Sequence, residues 1–194
     1  MDTRRSQPVL IRLMSADDRD GYLAHSDRYL PSSGEDGVFF MPYDFQAGER
    51  PGEPDLASLE LPLTEPGWQR WFVAIDPQAG IVGDAQLKGS SLKTGLHRCT
   101  LGIGLEKAWR GQGLGEHLMQ TAIDFCREAP SLDWLDLGVF SGNPRAKALY
   151  DKLGFVEVGR RVDCFRIGGT SLDDIMMTLD VSSPEPGQPS SSDH

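Results

Sequence analysis

The feature that most limits what this chain can fold into is the run Arg110-Gly111-Gln112-Gly113-Leu114-Gly115, which passes directly into a helical pattern. Leu114, Leu118, Ala122 and Phe125 or Cys126 recur at helical spacing, which predicts a helix over 114–128. The first amide N–H groups of a helix have no partner within it and carry partial positive charge. Glycines let a ligand approach the backbone closely and permit positive φ. The combination is an anion site suited to a pyrophosphate, and Arg110 adds a charge that pairs with phosphate oxygens. The Lys-Ser/Thr pair of a nucleoside-triphosphate loop is missing, and the glycine spacing is not that of a dinucleotide fold.

A second segment runs from Leu135 to Phe155. A predicted strand over 134–140 leads to Asn143, and Pro144 suits the first turn of a short helix over 144–153. Ala146 and Tyr150 are four residues apart and share a face of that helix, with the small Ala146 leaving room above the tyrosine. Gly154 can close the helix in a left-handed cap.

Around these segments the pattern alternates. Residues 9–14 read as a first strand, and Ser15 as the cap of a helix ending near Tyr29 and Leu30. Residues 71–76 and 81–87 form a predicted hairpin about the turn at Asp76-Pro77-Gln78-Ala79-Gly80. A fourth strand is predicted over 97–105 and a sixth over 155–159. Residues 162–167 and 174–179 complete the sheet across a Gly168-Gly169 turn. Strands and helices alternate with hairpins at both ends, so the expected fold is a single α/β domain over 9–181 with a mixed sheet. Residues 1–8 read as an N-terminal tail. Residues 182–194, mostly Ser, Pro and Gly, read as a disordered tail.

The chain has 29 acidic and 19 basic residues, a net charge of −10 that disfavours direct binding to nucleic acid. Residues 31–66 are an acidic insertion with eight acidic side chains against the single basic Arg50. No apolar run is long enough to span a bilayer, no signal peptide is evident, and a cytoplasmic location is expected. Cys99, Cys126 and Cys164 are far apart and read as buried reduced thiols; no spacing of Cys and His suggests a metal.

The two glycine- and asparagine-bearing segments together resemble the GCN5-related N-acetyltransferase (GNAT) superfamily. Arg110-x-x-Gly113-x-Gly115 looks like its acyl-CoA motif. Asn143-Pro-x-Ala146-x-x-Leu149-Tyr150-x-x-Leu153-Gly154-Phe155 looks like its second signature. The resemblance covers about residues 97–180. It implies a mostly antiparallel sheet flanked by helices and splayed between strands four and five at a bulge near residues 102–105. It implies acetyl-CoA as cosubstrate, held by backbone groups of Ile103, Gly104 and Leu105 and by the loop Arg110, Gly111, Gln112, Gly113, Leu114 and Gly115. Asn143 and Ala146 would lie along its arm, and Tyr150 would act as general acid on the departing thiolate. The activity implied is transfer of the acetyl group to a primary amine by direct attack. The alternative is a CoA-binding module without turnover.

The acceptor side is less defined. Relatives that acetylate ribosomal-protein N-termini often carry a Glu five residues before the Asn, where this chain has Gly138. Asp136 would lie on the same strand face and is the leading candidate for the base. His97, Glu60, Asp84 and Asp173 are further candidates. The insertion lies where the family shapes its acceptor pocket, and its charge suits a cationic small molecule. A protein N-terminus or lysine is the alternative acceptor, and a homodimer is compatible with the pattern.

Overall fold

A computed structural model describes residues 9–52 and 55–182. Seven strands form one sheet: β1 (Leu10–Leu13), β2 (Gln69–Asp76), β3 (Gly80–Gly89), β4 (Arg98–Leu105), β5 (Trp134–Phe140), β6 (Val156–Ile167) and β7 (Thr170–Asp180). Their spatial order is β1-β2-β3-β4-β5-β7-β6. Every neighbouring pair is antiparallel except β4 and β5, which are parallel. The helices are α1 (Arg19–Tyr29), α2 (Leu114–Glu128) and α3 (Pro144–Lys152).

Local chemistry accounts for the main boundaries. Asp76 Oδ1 accepts hydrogen bonds of 2.8 Å from the amides of Gln78 and Ala79, and Gly80 takes a φ of 76°, which closes the β2–β3 hairpin. The carboxylate of Asp18 accepts from the Ser15 amide at 2.8 Å and is gripped by Arg12, which fixes the chain entering α1. Asn143 Oδ1 accepts from the Ala146 amide at 3.2 Å and caps α3, while Gly154 at φ 94° ends it.

Side-chain alternation along the strands sets the two layers. Phe72 and Ala74 of β2 join the large core under α2, where Leu118, Met119, Ala122, Ile123 and Cys126 are sealed from solvent. Burying each of the larger of these side chains is worth about 1.5–3 kcal/mol. Trp71 and Val73, one residue out of phase, pack on the opposite face with Tyr22 of α1.

Two sequence expectations need correction. Residues 155–159 and 162–167 were expected as separate strands but belong to one strand, β6, whose register shifts between Arg161 and Phe165, with Asp163 at φ 52° inside the irregularity. The side chain of Asp163 accepts from Ser171 Oγ and Arg166, which holds the bend. The sheet does part between β4 and β5, but β4 carries no bulge: its register with β3 is unbroken from Cys99 to Leu105. Cys99 and Cys126 are buried thiols 3.8 Å apart, whereas Cys164 is half-exposed on β6. Residues 1–8 and all of the C-terminal tail beyond Ser182 lie outside the described residues. Among its described residues the insertion at 31–66 holds short 3-10 turns at Leu30–Ser32, Glu35–Gly37 and Leu56–Leu59. No helix among the described residues is long and apolar enough to cross a membrane.

Candidate active site

β4 and β5 pair only from Arg98–Trp134 to Thr100–Asp136. Beyond Thr100 the backbone groups of β4 that would face β5 have no strand partner, and such groups require one from elsewhere. The parting opens a cavity of about 1080 Å³. Leu101, Gly102, Ile103 and Leu105 of β4 form one wall, and Gly138, Val139 and Phe140 of β5 form the other. Asn143, Ala146, Leu149 and Tyr150 close it along α3, and the glycine loop closes the end at α2.

The loop has the backbone shape its sequence predicts. Gly111 and Gly113 sit at φ 75° and 84°, and Gly113 is the residue preceding α2. A side chain at either position would be strained by those angles, yet no neighbouring atom lies within 4 Å of where its Cβ would stand. The glycines therefore serve the turn and leave open space above the helix N-terminus, where an anion is favoured.

Arg110 has a different place from the one expected. Its Nε donates to the Leu105 carbonyl at 2.8 Å and its Nη2 to Ser32 Oγ at 3.1 Å, with the guanidinium 5.1 Å from the Phe40 ring centroid. It lines the cavity, but two of its donors tie the glycine loop to the chain after α1. Phe40 in turn stacks on Tyr29, and Tyr29 on His25. His25 is fully buried, with Nδ1 2.9 Å from Glu106 Oε1 and Nε2 3.1 Å from Asp84 Oδ1. Such a column was not visible in the sequence, because its members come from four distant segments.

Of the other residues singled out, Gln112 turns away to donate to the Ala108 carbonyl at 2.7 Å. Gly104 faces α1, where a Cβ would collide with Asp84 and Tyr29 at 2.6 Å. Leu114 packs against the core under α2, and Gly115 lines the cavity. Ala146 is part of the cavity wall beside Tyr150. Tyr150 is buried, with 7% of its surface exposed, and its hydroxyl makes no hydrogen bond with another described side chain. Burial pushes its pKa up to about 12, so the phenol is protonated at neutral pH.

Asp136 does not have the freedom a base needs. Its carboxylate takes two hydrogen bonds from Arg98, at 2.9 and 2.6 Å, and one of 2.7 Å from Thr178 Oγ1, so both of its oxygens are engaged. Asp84 is engaged by His25 and by Gln86. Asp173 accepts from the Asp163 amide. His97 is exposed just ahead of β4, and Glu60 lies near Met14 and Trp71, away from the cavity. The insertion does reach the site: Glu35, Asp36, Val38, Phe40 and Met41 line the cavity, with Lys107 paired to Glu35 at 3.0 Å.

The comparisons with known proteins agree with this architecture. The sequence model of the Acetyltransferase (GNAT) family matches residues 42–155, well over half of the chain, and the chain belongs to that family. An N-alpha-acetyltransferase, RimI, of Mycobacterium tuberculosis is 34% identical over 82 residues, covering 42% of this chain and 48% of the relative. A spermidine N(1)-acetyltransferase of Vibrio cholerae is 31% identical over 106 residues, covering 54% and 60%. The chain thus spans about half the length of these curated relatives. Among solved structures, a Salmonella typhimurium protein determined with its cofactor acetyl-CoA has a TM-score of 0.72 at 19% identity, covering 95% of this chain and 99% of that one. A ribosomal-protein-alanine N-acetyltransferase from Brucella melitensis has a TM-score of 0.66 at 21% identity, covering 88% and 99%.

Proposed function

We propose that this chain transfers an acetyl group from acetyl-CoA to a cationic primary amine. The observation that carries the reading is one cavity with an anion-favouring helix N-terminus at one end and an unpartnered, protonated phenol at the other. The residues present fit acetyl-CoA in three ways. The unpaired run of β4 offers peptide groups to the amides of an extended arm. The amides of residues 111–115 suit its pyrophosphate. The apolar walls at Ile103, Val139 and Leu149 suit the arm's methylenes.

When bound, acetyl-CoA supplies an activated acyl group on a thiol leaving group. The rest falls to the chain. A β4 amide near Ile103 would steady the charge that develops on the carbonyl oxygen. The Tyr150 phenol would donate its proton, or a hydrogen bond, to the departing sulfur; an ordinary thiol has a pKa of about 8.5 and needs little help. Asn143 has its Oδ1 committed to capping α3, which leaves its amide NH₂ for the ligand. Glu35 and Asp36 of the acidic insertion line the cavity, paired with Lys107, so the cationic acceptor is supported by the insertion's overall charge and, as a small polyamine, by the spermidine-acetylating relative.

The test is thiol release from acetyl-CoA with spermidine, other primary amines and a peptide bearing a free N-terminus. Turnover with spermidine and its loss in Tyr150→Phe are expected. A protein that acetyl-CoA stabilises against heat but that never releases thiol with any amine is a binding module, and a protein that acetyl-CoA does not stabilise refutes the reading outright.

A further inference from the structure

Gly138 stands on the β5 wall of the cavity, and the volume a side chain there would fill is already taken. A Cβ at position 138 would lie 2.6 Å from Asp174 Oδ1, a contact real Cβ atoms do not make. Asp174 belongs to the neighbouring strand β7, opposite Phe140, and is 5% exposed. Its other oxygen, Oδ2, is ion-paired with Arg161, which the irregular stretch of β6 delivers to it. Oδ1 takes no part in that pairing or in another side-chain hydrogen bond among the described residues, and it is not sealed from solvent. A carboxylate oxygen that is neither sealed nor taken can accept from an arriving ammonium.

The other carboxylates on this side of the sheet are engaged. Asp136 is taken by Arg98 and Thr178, and Asp84 by His25 and Gln86. Arg161 balances the charge of Asp174 without covering Oδ1. From the absence of a side chain at 138, the acid standing in its place and its free oxygen, we propose that Asp174 is the group at which the acceptor amine docks and to which it gives up its proton. This rests on the acyl-transfer reading and names the acceptor half of it.

The step balances as follows. The ammonium gives one proton to Asp174 Oδ1, which returns it to solvent. The neutral nitrogen then forms the C–N bond to the acetyl carbonyl carbon while the C–S bond breaks, its electron pair going to sulfur. Tyr150 protonates that sulfur and is reprotonated by the proton lost from nitrogen as the amide forms. The products are amide, thiol and one proton.

The experiment uses spermidine as the probe, with two readouts on the full chain. Calorimetry of spermidine binding in the presence of CoA should show a loss of about tenfold or more in Asp174→Asn. Steady-state kinetics should show kcat/KM for spermidine falling about 10²-fold, with the KM for acetyl-CoA and its thermal shift unmoved. The double variant Gly138→Asp/Asp174→Ala, which moves the carboxylate from β7 to β5, should recover at least part of the loss, as no structural role of Asp174 would allow. Should Asp174→Asn melt early, Gly138→Ala reads the same quantity with β7 intact, because its methyl would displace Oδ1. Spermidine binding within twofold of the unsubstituted protein in both variants overturns the proposal. So does a protein that acetyl-CoA stabilises but that neither binds nor acetylates spermidine, and that outcome leaves a transferase for other amines standing. A missing acetyl-CoA shift removes the proposed function and this inference together.

Discussion

Tyr150 and Arg110 show how differently two residues of one cavity can be used. The Tyr150 hydroxyl makes no hydrogen bond with another described side chain, so Tyr150→Phe should leave the thermal midpoint within a degree or two while kcat falls about 10²-fold. Arg110 has the reverse character. Arg110→Ala removes donors to the Leu105 carbonyl and Ser32 Oγ and a guanidinium over Phe40. Chemical denaturation should show a loss of about 2–3 kcal/mol. The spacing of Arg110 before two glycines was readable along the chain. Its partners were not, because Ser32 and Phe40 are some seventy residues earlier and nothing local ties them to it. The sequence offers Asp173 and Asp174 side by side, and strand alternation turns Asp174, not Asp173, toward Gly138 on the β5 wall.

At the scale of elements, the best-read parts were those whose signals are local. Helix α2 begins and ends where its apolar periodicity does, β5 spans the predicted residues, and the β2–β3 hairpin follows from its turn. The two halves of β6 read as separate strands because Asp163 and Cys164 interrupt the alternation, and Ser171 across the hairpin, with Arg166 of the same strand, shows how one strand absorbs them. The turn into α2 is open to a direct test. Gly113→Ala places a methyl in empty space at φ 84°, so its cost should be the backbone strain alone, about 1–2 kcal/mol in a urea melt. The acetyl-CoA thermal shift should shrink with it, because the turn aims the α2 amides.

Across the described residues, the most deeply buried ionisable cluster is the one where His25 faces Asp84 and Glu106. No sequence rule pairs a helix histidine with acids 59 and 81 residues away. His25→Ala would leave Asp84 buried opposite a void, and a loss of about 3–5 kcal/mol is expected in denaturant titration, at a distance from the cavity and with the acetyl-CoA shift retained. The phenols give a second global signature. Burial raises the pKa values of Tyr22, Tyr29 and Tyr150 above the ordinary 10. Below pH 10 all three are protonated folded and unfolded, so they add no pH dependence. Above it the unfolded chain releases protons the folded chain keeps, and stability falls as pH rises. Tyr150 alone, with its pKa raised to about 12, accounts for about 3 kcal/mol once pH passes that value. Urea midpoints should be flat from pH 7 to 9 and drop progressively above 10.

The three residue pairs that join β4 to β5 also make the sheet a seam. Strands β1 to β4 and strands β5 to β7 are each joined strand to strand, with register shifts only in β2–β3 and β6–β7, and between the two groups the ladder stops after Thr100. A ligand arm lying in the parting would stitch the two panels, with its amides standing in for missing rungs. Hydrogen exchange should register this as slower exchange of the β4 amides beyond Thr100 when acetyl-CoA is added, with the interior of the β2–β3 hairpin unchanged. The cosubstrate would then be a structural crosspiece as well as a donor, and the panels should unfold more nearly as one body in its presence.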